Sequence, residues 1–332
     1  MSRLRTPFGI LLAGLAATAP LPSHADEGGV SFWLPGQYGS LAATPAQPGW
    51  AFAGIYYHTS VDAGAGRSFA SGGQVRAGLD ARADLVLLNA TYVSPNPVFG
   101  GQAAFGLTGI VGRMRASIDA VLTGPGGGVL SGSRTDTFTG IGDLYPTATL
   151  KWNRGVHNYM TYLTGDIPVG GYSAGRLANL GIGHAAIDGG VGYTYFDPSK
   201  GHEFSVVTGL TYNFENPDTN YRNGINWHVD WGASQFLSKQ VHVGLVGYYY
   251  HQLTDDSGGF AAALDGFRSR VAGIGPQFGY IFPIGTGHQG YMNLKGYYEF
   301  AAENRPEGWN VWLTLSISPA APHESGAKKV TK

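Results

Sequence analysis

The chain lacks cysteine entirely and carries few charges. Its 332 residues include no Cys, and only 13% are Asp, Glu, Lys or Arg. The absence of Cys excludes disulfides and thiolate metal sites, and the ten His show no ligand spacing, so we expect no metal and no cofactor. A formal net charge of -1 leaves no basic surface for nucleic acid.

Glycine and aromatic residues are abundant instead. The chain has 53 Gly, and 13% of its residues are aromatic. Soluble domains are about 25% charged, so this composition is typical of a protein whose outside faces lipid. The mean hydropathy of -0.07 is compatible with that interpretation, because half of each strand in a membrane barrel is polar.

Residues 1–25 resemble a secretory signal. Arg3 and Arg5 precede an apolar stretch, Phe8–Ala19, and a small-residue cleavage site ends at Ala25. The alternative, a retained membrane anchor, is less consistent with so short an apolar run. Elsewhere nothing approaches the ~20 apolar residues of a spanning helix, so membrane insertion would require a closed barrel.

Strand-like alternation is clearest in Gly224–Ser234, where apolar residues alternate with polar ones. A strand sends successive side chains to opposite faces, so Trp227 and Trp231 share one face while His228 and Asp230 share the other. In a soluble sandwich the apolar face would be the core. In an outer-membrane barrel it would meet lipid, and the polar face would line the lumen.

The lengths of the links between strands separate these two alternatives. We count twelve strand candidates, joined alternately by short turns and by longer polar links such as Ser60–Gly73 and Ser117–Thr139. Short periplasmic turns and long outer loops produce this parity. The predicted fold is therefore an all-β, antiparallel up-and-down transmembrane barrel of about twelve strands over residues 49–318, followed by a flexible tail, 319–332.

Residues 26–48 precede the first strand. They form either a periplasmic arm or a partial plug inside the lumen. Apolar side chains are poorly placed in free water, which favours packing. The plug candidates are Phe32, Trp33, Leu34 and Tyr38.

Alternation also assigns side chains to the lumen. In Gln74–Leu87, placing the Ala and Leu residues on lipid turns the charges inward, which predicts Arg76, Asp80, Arg82 and Asp84 as lumen-lining. Further candidates for lumen lining or a ligand path are Asn226, His228, Asp230, Tyr248, Tyr250, Lys295, Tyr297 and Glu299. The alternative is that the charges only pair across neighbouring strands, and that most aromatic residues form interfacial girdles.

A catalytic interpretation of His228, Asp230 and Ser234 is weak. Same-face neighbours two residues apart lie about 7 Å from each other along a strand, which is loose for a triad. The chain contains no G-x-S-x-G elbow and no H-E-x-x-H pair. We therefore expect a protein that is not an enzyme.

Several strings resemble a proteobacterial outer-membrane family described as involved in the meta-pathway of phenol degradation. They are Gly28–Ala43, Gly142–Pro146, Arg176–His184, Ser269–Tyr280 and Asn304–Asn310. The resemblance covers nearly the whole chain after the signal. It implies an outer-membrane channel for small hydrophobic or aromatic compounds, and it carries over no functional residues.

The leading hypothesis is thus passive uptake of small hydrophobic or aromatic solutes, linked to phenol-type catabolism, in the Gram-negative outer membrane. Its expected partners are that solute, membrane lipid and lipopolysaccharide, and the oligomeric state is left open. Two alternatives are a barrel enzyme acting on lipids and a structural or adhesive barrel. In the adhesive case, Ser60–Gly73 and Ser117–Thr139 would be outer recognition loops.

Overall fold

The computed structural model describes residues 31–68, 74–123, 128–258 and 268–321, and within them twelve strands close an antiparallel barrel. The barrel strands are β1 (Gly49–Ser68), β2 (Gln74–Val98), β3 (Gly101–Thr123), β4 (Val129–Arg154), β5 (His157–Asp166), β6 (Ala186–Asp197), β7 (His202–Asn213), β9 (Asn226–Phe236), β10 (Val241–Gln252), β12 (Arg270–Ile284), β13 (His288–Glu303) and β14 (Glu307–Pro319). Two short strands, β8 (Tyr221–Arg222) and β11 (Ser257–Gly258), pair outside the barrel. In the same residues, no helix has the length and apolar character to cross a bilayer.

The strands run up and down in chain order, and β1 closes the barrel against β14 from Phe52↔Ile317 to Asp62↔Glu307. Both ends of the barrel chain lie at one rim, together with short turns such as residues 155–156 and 285–287. Gly155 and Gly285 take positive φ in these turns, a conformation that glycine adopts without a steric penalty. Short turns mark the periplasmic rim, so the opposite rim is extracellular. The predicted barrel class and strand number are confirmed.

The first two extracellular hairpins differ from the prediction of long loops. Ser60–Gly73 and Ser117–Thr139 are largely strand, because β1 extends to Ser68, β2 starts at Gln74, β3 extends to Thr123 and β4 starts at Val129. These hairpins project beyond β14, which begins only at Glu307, and we call this projection the extracellular ridge. Its Gly- and Ser-rich sequence shows no clear alternation of apolar and polar residues. Such a composition occurs in loops as well as in strands, so the sequence did not reveal these strands.

The outer face of the barrel carries a band of exposed apolar side chains, including Phe52, Leu88, Phe105, Leu163, Leu210, Leu294 and Leu315. They alternate along their strands with side chains that point inward. An apolar band on the outside of a closed barrel is the surface that meets hydrocarbon in a membrane.

The interior is divided between a polar side and an apolar side. On β6, β7 and β9 the buried inward side chains are mostly polar, for example Asp188, Ser205 and His228. On β2 and β3 they are mostly apolar, for example Leu85 and Met114. Membrane barrels usually have polar interiors, so the apolar side is unusual and bears on function.

Candidate functional site

The segment from residue 31 to residue 48 lies inside the barrel, and we call it the lumen segment. Near its start, an Arg305 guanidinium nitrogen lies 3.3 Å from Ser31 Oγ, at the extracellular rim. Near its end, Ala46 exchanges hydrogen bonds of 2.9 and 2.7 Å with the side chain of Gln102, at the periplasmic rim. The segment therefore runs down the lumen before the chain enters β1. Of the two sequence alternatives, a periplasmic arm does not describe this path.

A turn at Gly36–Tyr38 is held from opposite sides by Asp230 on β9 and Lys295 on β13. The backbone N–H groups of Gly36 and Tyr38 donate to the Asp230 carboxylate at 3.0 and 3.1 Å. The Lys295 ammonium donates to the carbonyls of Gly36 and Gln37 at 2.6 and 2.9 Å. Gly36 has φ of 88°, in the left-handed region. The carboxylate thus binds the N–H groups of the turn, and the ammonium binds its carbonyl groups.

Further along, side chains of the wall bind the backbone of the lumen segment. Glu203 accepts from the Leu41 N–H at 2.9 Å, and Thr194 accepts from the Ala43 N–H at 3.0 Å. Lys151 on β4 donates to the carbonyls of Ala42 and Thr44 at 2.8 and 3.1 Å. These bonds replace those that an extended segment would otherwise make with water.

Trp33 and His228 form the centre of a buried aromatic and polar cluster. Their ring centroids are 3.5 Å apart, with planes 15° apart. His228 Nε2 lies 2.9 Å from Asp188 Oδ2, and the Tyr162 hydroxyl donates to Asp188 Oδ1 at 2.7 Å. Thr211 also donates to Asp188, at 2.6 Å. Sequence inspection missed Tyr162 and Asp188, because they become neighbours of His228 only when the strands pair.

The row of His228, Asp230 and Ser234, which the sequence made only a weak candidate for catalysis, is not arranged as a triad. His228 bonds to Asp188, and Asp230 is occupied by the lumen segment. Ser234 Oγ lies 3.1 Å from His242 Nδ1, but the other ring nitrogen of His242 lies 3.0 Å from the Tyr291 hydroxyl rather than from a carboxylate. Among the residues described, no group of three or more His, Asp or Glu is arranged to hold a metal ion.

The remaining inner-face candidates on β9, β10 and β13 are buried, and most of them contact each other, the lumen segment or Arg305. Tyr248 donates to Glu299 at 2.6 Å, and Tyr297 donates to the Gly36 carbonyl at 3.1 Å. The Arg305 guanidinium lies 4.6 Å from the ring centre of Tyr250. Asn226 is fully buried at the extracellular end of β9.

For three of the four β2 charges, Asp80, Arg82 and Asp84, the prediction that they line the lumen is wrong. Arg82, Asp80 and Asp84 point outward, with side chains 61%, 49% and 52% exposed. Their neighbours Ala81 and Ala83 are buried instead. The physical reason is that these charges lie on the outer surface towards the extracellular ridge, where Asp84 bonds to Tyr56 and His58 rather than meeting hydrocarbon. The Arg76 side chain lies outside the described part of the chain.

An apolar wall occupies the inner side of β1, β2 and β3. It consists of Tyr57, Ala81, Ala83, Leu85, Leu87, Ile110, Met114 and Ala116. Towards the periplasmic rim the inward positions change to Asn89, Thr91 and Thr108. Asn89 and Thr91 continue the odd-numbered face of β2. They were the sequence signal that this face points into the lumen.

Two cavities lie against this wall in the described part of the barrel. The periplasmic cavity has a volume of about 430 Å³ and is lined by Asn89, Thr108, Thr147, Lys151 and Thr314, among others. The extracellular cavity has a volume of about 200 Å³ and is lined largely by the apolar wall, Leu177 and Arg305. Leu34, Ile110 and Tyr145 line both cavities.

Comparison with solved structures shows the fold. An outer-membrane channel from Pseudomonas putida F1 is similar with a TM-score of 0.63 and 16% identity, over 83% of this chain and 98% of the other. A FadL homologue from Pseudomonas aeruginosa is more distant, with a TM-score of 0.35 and 8% identity over 81% and 89% of the two chains. The CymD monoaromatic hydrocarbon channel is equally distant, with a TM-score of 0.34 and 8% identity over 84% and 90%.

Sequence comparison identifies the family. No functionally curated protein matches the chain. The profile of the family described as "Putative MetA-pathway of phenol degradation" matches residues 65–315, which includes most of the barrel. The chain, an outer-membrane β-barrel, belongs to this phenol-degradation family.

Proposed function

We propose that this protein is a channel of the Gram-negative outer membrane for passive uptake of small hydrophobic or aromatic compounds. The observation that carries the proposal is the apolar wall, from Tyr57 on β1 to Ala116 on β3, opposite the mostly polar inner side of β6, β7 and β9. Membership of a phenol-degradation family supports aromatic solutes and a link to their catabolism.

The apolar wall suits such solutes physically. Removing apolar surface from water is worth about 25 cal/mol per Å², so a ring that enters the lumen gains from contact with Leu85 and Met114. The cavities are small, which keeps the contact area and therefore the affinity modest. Modest affinity lets a solute leave again, as passive conduction requires. No cofactor or energy source enters this scheme.

In this proposal the rest of the chain directs export, contacts the membrane and holds the lumen segment. Residues 1–25 direct export and are cleaved near Ala25. They lie outside the residues that the structure describes, as does the predicted tail beyond residue 321. The exposed apolar band contacts membrane lipid, and the extracellular ridge stands among the lipopolysaccharide headgroups. The inner polar residues hold the lumen segment, which acts as a partial plug.

The proposal is tested by growth and uptake. We expect a deletion strain to take up radiolabelled phenol more slowly at limiting concentration and to grow more slowly on it. The wild-type gene should restore both rates. A gene carrying Met114→Asp, which puts a charge on the apolar wall, should restore less than one carrying Leu130→Asp in the extracellular ridge. Equal uptake by the deletion and wild-type strains, for phenol and for other small apolar solutes, would reject the proposal.

We further propose that the protein has no enzymatic activity. The contact between Ser234 and His242 is the one that a lipid hydrolase would need, so Ser234→Ala and His242→Ala are the informative variants. We expect purified wild-type protein and both variants to give the same background in a lipase assay. Activity that both variants lose would instead identify a barrel enzyme.

A structural or adhesive role is separated from a channel by planar-bilayer recordings. A channel gives protein-dependent conductance, whereas a purely structural barrel gives none and its deletion leaves solute uptake unchanged. We expect conductance with frequent closures, because the lumen segment leaves only part of the cross-section free.

A further inference from the structure

The lumen segment is held mainly by one side of the barrel wall. Its polar contacts with Thr194 on β6, Glu203 on β7, Asp230 on β9 and Lys295 on β13 all lie on the same half of the wall. Ser40 adds contacts of 2.8 Å to Ser234 Oγ and 2.7 Å to Gln277 Nε2 on that half. The last residues of the lumen segment also bond to the opposite half, at Lys151 on β4 and Gln102 on β3 near the periplasmic rim. So many buried charge-assisted bonds make displacement of the segment costly.

Both cavities lie mostly on the opposite side, between the lumen segment and the strands β14 and β1 to β5. The extracellular cavity reaches Arg176 and Pro306 in the outer loops. The periplasmic cavity reaches Gln102 and Ser316 at the inner rim. In the described residues the two together therefore extend along the full height of the barrel wall.

The two cavities adjoin where they share three lining residues. Leu34 of the lumen segment, Ile110 of β3 and Tyr145 of β4 line both of them. The Tyr145 ring is itself supported by Phe32, with ring centroids 5.6 Å apart. Ile110 is buried, and Gly142 lies so close that an added Cβ would be 3.0 Å from Ile110 Cβ. Leu34, Ile110 and Tyr145 are thus the shared border of the two cavities.

We propose that solute passes beside the lumen segment, which stays in place, and that Leu34, Ile110 and Tyr145 form the size-selecting constriction of this passage. The inference rests on the proposed channel function. The lumen segment is then one wall of the passage and not a gate that has to leave it. Side-chain rotation at the three residues is sufficient to open the connection, and such motions are fast.

The side chains that line the two cavities indicate which solutes can pass. The extracellular cavity is lined by methyl groups and aromatic rings. The periplasmic cavity presents the hydroxyls of Thr108, Thr147 and Thr314 and the amide of Asn89. A molecule that crosses from the first lining to the second needs a flat apolar body and one hydrogen-bonding group. The geometry points to single-ring compounds with a hydroxyl or similar group, with two-ring compounds excluded at Ile110.

A disulfide that fixes the lumen segment to the wall tests whether solute passes beside the segment or only after the segment has moved out of the lumen. The chain has no Cys, so Ser40→Cys with Ser234→Cys gives a single possible cross-link where the native oxygens are 2.8 Å apart. Neither residue lines the two cavities. Uptake of radiolabelled phenol is measured in the deletion strain carrying this pair, oxidised and reduced. We expect equal uptake in both states, and a loss on oxidation that reductant reverses would overturn the proposal.

The constriction is tested with matched variants on one strand. Ile110→Trp places a bulky ring at the constriction, whereas Val111→Trp places the same ring on the outer face, where Val111 is exposed. We expect uptake to fall to the deletion level only for Ile110→Trp. Heat-dependent gel mobility verifies that each barrel has folded. Wild-type-like uptake by folded Ile110→Trp would overturn the proposed constriction.

A third variant guards against misfolding of the Trp variant. Ile110→Ala should increase the uptake of 2-naphthol relative to phenol, since it widens the constriction. No change in that ratio would also count against the constriction. If wild-type protein itself gives no uptake above the deletion strain, the result rejects the proposed channel function and not only the route. Uptake by wild-type with loss on cross-linking instead rejects only the route.

Discussion

The indole of Trp33 lies on the imidazole of His228, with ring centroids 3.5 Å apart and ring planes 15° apart. One ring belongs to the lumen segment and the other to β9, so the stack joins the segment to the wall. Asp188 lies 2.9 Å from the imidazole Nε2, and Tyr162 donates to the same carboxylate, so the two fix the orientation of the imidazole. The anchor is thus set by side chains from three strands and does not depend on the turn at Gly36.

Removing this anchor should destabilise the filled barrel. Trp33 is 1% exposed, and truncation of a buried Trp to Ala typically costs about 3–5 kcal/mol. We expect Trp33→Ala to lower the temperature at which the detergent-solubilised barrel unfolds on an SDS gel. Trp33→Phe keeps a ring on His228 and should lose much less. Equal transition temperatures for the Ala variant and wild type would contradict the anchoring role.

The two charges around the turn give a prediction about conductance. Lys295→Met removes the ammonium that donates to the Gly36 and Gln37 carbonyls. Gly36 keeps the Tyr297 hydroxyl as a donor, but a buried carbonyl left without a partner costs about 1–3 kcal/mol. We expect larger and noisier openings in planar bilayers, because the turn becomes mobile. Lys239→Met, in an exposed periplasmic turn, is the matched control. Identical traces for the two variants would show that Lys295 does not restrain the segment.

Asp143 fastens the extracellular loop of residues 167–185 to the barrel. Its carboxylate accepts from the N–H groups of Gly170 and Ile182 at 2.7 and 2.8 Å, and it is 1% exposed. Asp143→Ala should release the loop, because each N–H left unpaired costs about 1–3 kcal/mol. Trypsin added to intact cells should then cut faster after Arg176. Asp255→Ala, in another outer loop, serves as control, and unchanged cleavage would reject this role.

The corrected orientation of β2 is also testable. Arg82 is an exposed outer residue, so Arg82→Ala should change stability by no more than about 0.5 kcal/mol. Leu210→Arg places a charge in the apolar band and should cost about 2–4 kcal/mol if it lies near the bilayer midplane. Reversible unfolding in liposomes by guanidinium measures both. A large loss for Arg82→Ala would restore the lumen-facing interpretation.

The barrel was predictable from sequence because its signal is distributed over the whole chain. Short and longer polar links alternate along the sequence, and no single strand has to be assigned correctly for that pattern to appear. In the structure the contrast in length is clearest for the loops of residues 167–185, 214–225 and 253–269. In β9 and β13 the alternation is unambiguous, and the side chains it assigns to the lumen, such as His228 and Lys295, are buried in the structure.

The orientation of β2 could not be obtained by the same rule. Leu85, Val86, Leu87 and Leu88 are all apolar, so the middle of the strand has no polar face to mark the lumen. The rule assumes that charges avoid the outside, which holds only within the hydrocarbon layer. β2 is 25 residues long and extends beyond that layer, where outward Arg and Asp are solvated.

The site itself depends on contacts between distant parts of the chain. Asp230 and the turn at Gly36 are 194 positions apart, and no local pattern encodes their meeting. Composition suggested that Trp33 and its neighbours would pack somewhere. Which wall they pack against, and which side of the barrel stays open, follows only from the closed sheet.

The position of the lumen segment also constrains the order of assembly. Its polar partners extend from Gln102 on β3 to Arg305 between β13 and β14, whereas closure joins β1 to β14. An open curved sheet already presents those partners before its edges meet. The segment can therefore settle on the sheet first and be enclosed when the edges zip together. Threading a finished barrel is unnecessary, and the filled interior is a template on which the final strand pair closes.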